Sequence, residues 1–146
     1  MKQRQQKKLS RRLSGATLAA DTARVKALLR AGADPEREDS DGTTPLYLAS
    51  VQGEADVARL LMQAGARPDT ESRGIGAAGT PLCAAACWGH TETVRELLAR
   101  GADPNLREDD GTGWSPLDWA DHGPHPATVE LLVAAGAIRR CPPSRG

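Results

Sequence analysis

Apolar positions in this chain fall in short blocks, not long runs. "TVRELLARGA" spaces Val94, Leu97 and Leu98 by three and four, and "TVELLVAAGA" repeats the pattern with Val129, Leu132 and Val133. That spacing puts the apolar side chains on one face of a helix. Val57, Leu61 and Met62 make a related stripe, with Ala58 where the later blocks carry Val. Gly65, Gly101 and Gly136 close these helices. Upstream of each stripe stands a second signal: "TTPLYLAS" at 43–50, "TPLCAAA" at 80–86 and "SPLDWA" at 115–120. Thr44, Thr80 and Ser115 are placed to cap a helix, because a hydroxyl oxygen there accepts from an otherwise orphan backbone N–H. The proline that follows suits the first turn, having no N–H to leave unsatisfied. Gly53 and Gly89 end this first helix in a left-handed conformation. In the last copy Pro124, after Gly123, takes the matching slot.

Each proline stands 20 residues before its closing glycine: Pro45 and Gly65, Pro81 and Gly101, Pro116 and Gly136. The intervals between Gly32, Gly65, Gly101 and Gly136 are 33, 36 and 35. All length variation therefore lies between a closing glycine and the next proline. A rigid helix pair joined by an adjustable loop is the pattern of a stacked repeat. Neither helix is long enough to persist alone in water, so the layers must bury one another's stripes.

The units resemble ankyrin repeats. "DSDGTTPLYLA" supplies Asp39, Gly42, Thr44, Pro45, Leu46 and Ala49, and "DGTGWSPLDWA" supplies Asp110, Gly113, Ser115, Pro116, Leu117 and Ala120. "IGAAGTPLCAA" keeps Thr80, Pro81, Leu82 and Ala85 without the Asp and first Gly. A first unit lacks the proline signal but keeps Leu13, Ala16, Val25, Leu28, Leu29, Gly32 and Ala33 in register. The family's usual His after "TPL" is replaced by Tyr47, Cys83 and Asp118. The resemblance implies an all-α solenoid of stacked helix-turn-helix units with β-hairpin-like finger loops. The units fall at about 9–38, 39–72, 73–107 and 108–140 within a domain of 9–140. A basic flexible tail at 1–8 and a flexible tail at 141–146 flank it. The resemblance also implies a non-enzymatic scaffold that binds a protein on the concave face made by the fingers and first helices.

Composition sharpens this picture. With 3% aromatic residues and no Phe among 146, the core must be built from Leu, Val and Ala. Three cysteines, with no signal peptide expected, fit a reducing cytoplasm better than a disulfide framework. No apolar run is long enough to span a bilayer. The zero formal net charge conceals an asymmetry. Residues 1–12 hold six basic residues and 139–146 hold three, leaving ten basic residues against all 19 acids at 13–138, a net charge of −9. An acidic body disfavours nucleic acid and favours a basic protein partner.

The candidate partner-binding residues are Ser40, Asp41, Thr43, Thr112 and Trp114 on the fingers, with Tyr47, Val51, Gln52, Cys87, Trp88 and His122 on the first helices. Trp88 and Trp114 are either exposed anchors of the kind that dominate interfaces or side chains folded onto neighbouring loops. Trp119 packs in the last layer, and Tyr47 fits either role. The acids of the fingers, Glu36 through Asp41, Asp69, Glu71 and Glu108 through Asp110, read as solvated loops and turn residues or as a surface that steers a basic partner. Cys83, Cys87, Asp118 and His122 share slots on adjacent helices, but such helices lie about 10 Å apart, too wide for one zinc. Cys83 reads instead as a small buried hydrophobe. His90, His122 and His125 sit near inter-helix turns and form no catalytic constellation; His90, after Gly89, reads as structural. "GIGAAG" at 74–79 resembles a phosphate loop, yet no strand is predicted before it and a Thr-Pro cap follows it, so it reads as a mobile finger insertion. No metal or cofactor is expected, and a monomer is. An alternative function, a nucleic-acid- or membrane-associated adaptor, rests on the basic N-terminus.

Overall fold

The computed structural model describes residues 2–74 and 77–139. The first helices of the units are α1 (Gln3–Leu18), α3 (Pro45–Gln52), α5 (Pro81–Cys87) and α8 (Pro116–His122). The second helices are α2 (Thr22–Arg30), α4 (Ala55–Gln63), α6 (Thr91–Ala99) and α9 (Pro126–Ala134). First helices pack on first helices and second on second, α1 on α3 on α5 on α8 and α2 on α4 on α6 on α9. The all-α solenoid expected from the repeats is the fold observed.

The three capping signals form as the sequence indicates. Thr44, Thr80 and Ser115 accept from the backbone N–H of Tyr47, Cys83 and Asp118 at 3.2, 3.1 and 3.1 Å. Asp118 completes a capping box by accepting from Ser115 N at 2.9 Å. Gly53 and Gly89 are left-handed at φ 73 and 69. In the first unit Ala20 takes this place at φ 54, a conformation that costs an L-residue about 1 kcal/mol or more.

One apolar seam runs through the layers. Leu13 and Val25, Leu46 with Val57 and Leu61, Leu82 with Val94 and Leu97, and Leu117 with Leu132 are all essentially inaccessible. Burying each such side chain contributes about 1.5–3 kcal/mol. Ala16, Ala49, Ala85 and Ala120 recur three residues after the buried leucine and are buried in every layer. One position further on stand Thr17, Ser50 and Ala86, buried between layers, whereas Asp121 in the last unit is exposed and ion-paired with Arg139.

Two hydrogen-bond ladders tie the layers. In the first, a side chain accepts from the N–H two residues after each closing glycine. Gln6 reaches Asp34 N at 3.3 Å, Glu36 reaches Arg67 N at 2.6 Å, Asp69 reaches Asp103 N at 3.0 Å, and Asn105 reaches Ile138 N at 2.9 Å. The two amides also donate, Gln6 to Gly32 O and Asn105 to Gly136 O. In the second ladder, the carbonyl near the end of each first helix faces a side chain of the next unit. Leu18 O accepts from Gln52 Nε2 at 3.2 Å, Val51 O meets His90 Nε2 at 2.9 Å, and Cys87 O meets His125 Nε2 at 3.0 Å.

Two expectations are corrected. The segment 1–8 is not a flexible tail from residue 3 onward: it forms the opening turns of α1, anchored because Gln6 supplies the rung that an earlier layer supplies elsewhere. The second correction is that a strand leads into "GIGAAG" where none is predicted, because residues on its two sides pair. Strand β1 (Ser72–Gly74) runs antiparallel to β2 (Ala77–Gly79), with Ser72 opposite Gly79 and Gly74 opposite Ala77. The mobility expected of its tip and the tail expected at 141–146 lie outside the described residues.

Candidate partner-binding surface

The surface of interest is built where the fingers meet the first helices. Two rows of helix positions face it. One row is Ser14, Tyr47, Cys83 and Asp118; the other is Leu18, Val51, Cys87 and His122. At the N-terminal end, Ser14 and Leu18 line a cavity of about 460 Å³ with Arg37, Glu38, Asp39 and Ser40 of the second finger. Further along, the Cys83 thiol lies 3.7 Å from Trp114 O and 3.9 Å from Leu106 O.

Most of the expected residues reach the surface. Ser40, Asp41, Gln52, Thr112 and His122 are exposed, and Tyr47, Val51 and Cys87 are half-buried. Trp88 is 62% and Trp114 41% exposed. Several are held by local bonds: Asp41 N donates to Asp39 Oδ1, and Thr112 Oγ1 donates to Asp109 O. Asp39 also accepts from Thr43 N, which closes the second finger's turn. Thr43 itself is a correction. It is buried, because its hydroxyl packs against Gly74 of the neighbouring finger, where no side chain intervenes. It therefore offers a partner nothing.

The tryptophans part company. Trp114 rests on Trp119, with ring centroids 4.6 Å apart and planes at 52°, and on His122 at 5.1 Å in an edge arrangement. It is thus both exposed and braced by its own unit. Among the described residues no ring contact joins Trp88 to this trio. Trp119 is half-buried against the core, as expected.

Sequence reasoning missed the role of Glu108. The fourth finger carries a short helix, α7 (Glu108–Gly111), and Glu108 N donates to Trp114 O across the finger. The Glu108 side chain turns inward and is half-buried. It accepts from Trp119 Nε1 at 3.1 Å and packs against Gly79. Burial pushes its carboxyl up from the usual 4.5; the Trp119 N–H pulls it down, and the charges of Asp109 and Glu71 raise it again. The same carboxylate, after burial, raises Tyr47 and Cys87. Burial drives the Cys83 thiol far above the usual range, as suits an inert core position. A register signal was available: eight residues before the proline stand Arg37 and Arg73, and in the fourth unit Glu108.

Among the described residues no group of three or more His, Cys, Asp or Glu is gathered to hold a metal ion. No helix there is long and apolar enough to cross a membrane.

Comparison with known proteins follows the geometry. A family model described as ankyrin repeats (3 copies) matches residues 13–72 and 72–139. The chain is 32% identical to potassium channel KOR1 of Oryza sativa subsp. japonica over 92% of its own length, but over 19% of the channel's. It is 40% identical to protein PhlB of Serratia liquefaciens, covering 74% of this chain and 46% of that one. It is also 40% identical to SH3 and multiple ankyrin repeat domains protein 1 of Homo sapiens, covering 75% of this chain and 5% of that one. The chain thus spans less than half the length of each of these relatives. Matched over most of its length and layered as its repeats require, the chain belongs to the ankyrin-repeat family.

Proposed function

We propose that the chain is a non-enzymatic, cytoplasmic, monomeric binding module that holds a partner protein with a basic surface against the concave face of its stack. Ankyrin repeats are generally protein–protein interaction modules. The observation that carries the finer reading is Trp114, 41% exposed on a face edged by finger acids yet held by Trp119 and His122. A large side chain already fixed in place loses little freedom when a partner covers it. Affinity capture with the wild type beside a Trp88→Ala/Trp114→Ala variant tests the reading. The expected result is a specific partner lost by the variant; a partner kept equally by both removes the proposed face.

A second reading has its own observation. Lys2, Arg4, Lys7, Lys8, Arg11 and Arg12 form no ion pair among the described residues, and Lys2, Arg4, Lys8 and Arg12 line a cavity of about 430 Å³. Such a face suits a nucleic-acid or membrane adaptor. Replacing Lys2, Lys7 and Lys8 with Gln leaves Gln6 in place. Salt-dependent binding to duplex DNA or anionic vesicles that these changes remove supports the adaptor; binding that they leave intact ends it.

A further inference from the structure

We propose that the surface between the fourth finger and α8 receives one arginine side chain of the partner, its guanidinium lying on the exposed part of Trp114 and bonded to Glu108. This rests on the protein-binding reading and names the chemistry of one subsite within it.

Three observations converge. First, Glu108 is a half-buried carboxylate for which no ion pair is found among the described residues. Glu36, Glu96 and Asp118, half-buried likewise, each face an arginine: Arg67, Arg59 and Arg107. Arg107, next in sequence to Glu108, donates to Gly113 O and turns toward Asp118. Among the described residues, Glu108 meets the Trp119 indole and the Cys83 thiol, feels the like charges of Asp109 and Glu71, and acts in turn on Tyr47 and Cys87. Neutral donors relieve a desolvated carboxylate in part, and a cation offsets the like charges around it as well.

Second, the aromatic wall is attached to the carboxylate. Glu108 N donates to Trp114 O, and Trp119 lies tilted against the Trp114 ring while donating its N–H to Glu108. Trp114, Trp119 and Glu108 are therefore tied together, an exposed indole and a carboxylate in one linked group. The Trp114 and Trp119 centroids, 4.6 Å apart, leave no slot between the rings, and His122 packs on Trp114 as well, so a ligand uses the part of Trp114 that neither covers. Third, an indole and a carboxylate together suit a planar cation. Guanidinium stacks on indole and donates to a carboxylate at once, whereas an ammonium is a compact, strongly hydrated point charge.

The probe is the tripeptide acetyl-Gly-Arg-Gly-amide, compared with its citrulline analogue, which keeps the shape and loses the charge. The readout is the indole N–H signals of Trp88, Trp114 and Trp119 in a nitrogen-15-labelled protein, assigned by single Trp→Phe variants. At millimolar concentrations and matched ionic strength, the arginine peptide is expected to move Trp114 and Trp119 and leave Trp88 in place. The citrulline peptide is expected to move neither. Glu108→Gln keeps an oxygen for the Trp119 N–H and is expected to weaken the arginine response at least tenfold while the urea midpoint does not fall. Equal shifts from citrulline, a full response in Glu108→Gln, or a response centred on Trp88 overturns the subsite. If the peptide moves nothing while the Trp88→Ala/Trp114→Ala variant still loses its protein partner, the subsite falls and the binding face stands.

Discussion

His90 Nε2 lies 2.9 Å from the carbonyl oxygen of Val51, one layer below. That carbonyl belongs to the last turn of α3, where helix geometry provides no partner. His125 meets the equivalent carbonyl of Cys87 at 3.0 Å. At the first junction the residue in the histidine slot is Glu54, which as a carboxylate cannot donate, and Gln52 reaches Leu18 O instead. Three junctions thus satisfy the same orphan carbonyl by two routes.

Replacing His90 with Ala should therefore lower stability by about 1–2 kcal/mol, the loss of one hydrogen bond with a partly buried acceptor left unmet. His90→Gln should recover part of it, since an amide already does this work at Gln52. Urea unfolding followed by circular dichroism gives the comparison. An alanine variant as stable as the wild type would show that water replaces the ring without loss.

The same ring explains one glycine position. A Cβ on Gly53 would lie 2.5 Å from His90 Nδ1, and Gly53 is already left-handed at φ 73. Gly53→Ala should cost more than the roughly 1 kcal/mol of its backbone strain alone. In a His90→Ala background the excess should vanish, leaving a measurable coupling in the double-mutant cycle. Ala20 makes the opposite case. It holds φ 54 at the equivalent position, so Ala20→Gly should stabilise the protein by about 1 kcal/mol.

What the sequence disclosed follows from what it repeats. Thr44, Thr80 and Ser115 cap because a hydroxyl before proline acts locally, within three residues, and local rules can be read from a string. The seam of Leu46, Leu82 and Leu117 was legible for the same reason. Thr43 and Glu108 were not. Thr43 is buried by Gly74, 31 positions away, and Glu108 turns inward because Gly79 and Trp119 leave room and a donor for it. Gln6 was read as tail because its role depends on Gly32 and Asp34 lying beside it, which only the folded stack arranges.

Asn105 offers a test of the outer ladder at the last junction. It accepts from Ile138 N at 2.9 Å and donates to Gly136 O at 3.0 Å. Asn105→Ala removes both bonds and should destabilise by about 1–2 kcal/mol. Asn105→Asp keeps the acceptor and should lose less, since Asp69 holds the preceding rung with an acceptor alone. Amide hydrogen exchange should show the loss of protection concentrated in α9, where the tie is cut. Protection lost evenly through all the helices would indicate that the stack unfolds as one unit.

Glu36 and Glu108 should give the stability curve two opposing acid limbs. Burial pushes the Glu36 carboxyl up, but bonds from Arg67 N–H, the Thr70 hydroxyl and the Arg67 side chain outweigh it, and the net shift is downward from 4.5. Its stabilisation is complete above 4.5 and is lost as pH falls through the folded value. Glu108 is shifted upward, so between 4.5 and its folded value the native state holds more protons than the unfolded chain, and stability falls as pH rises. Glu108→Gln should flatten the curve just above pH 4.5 and raise the neutral plateau, because it removes the repulsion from Asp109 and Glu71 and keeps the Trp119 bond. Glu36→Gln should instead remove the limb below 4.5 and lower the plateau. Urea midpoints from pH 3 to 8 separate the two. If Glu108→Gln proves less stable at neutral pH, its bond from the indole outweighs its buried charge. A gain would mark Glu108 as a group whose charge costs the fold stability, as expected where charge serves binding.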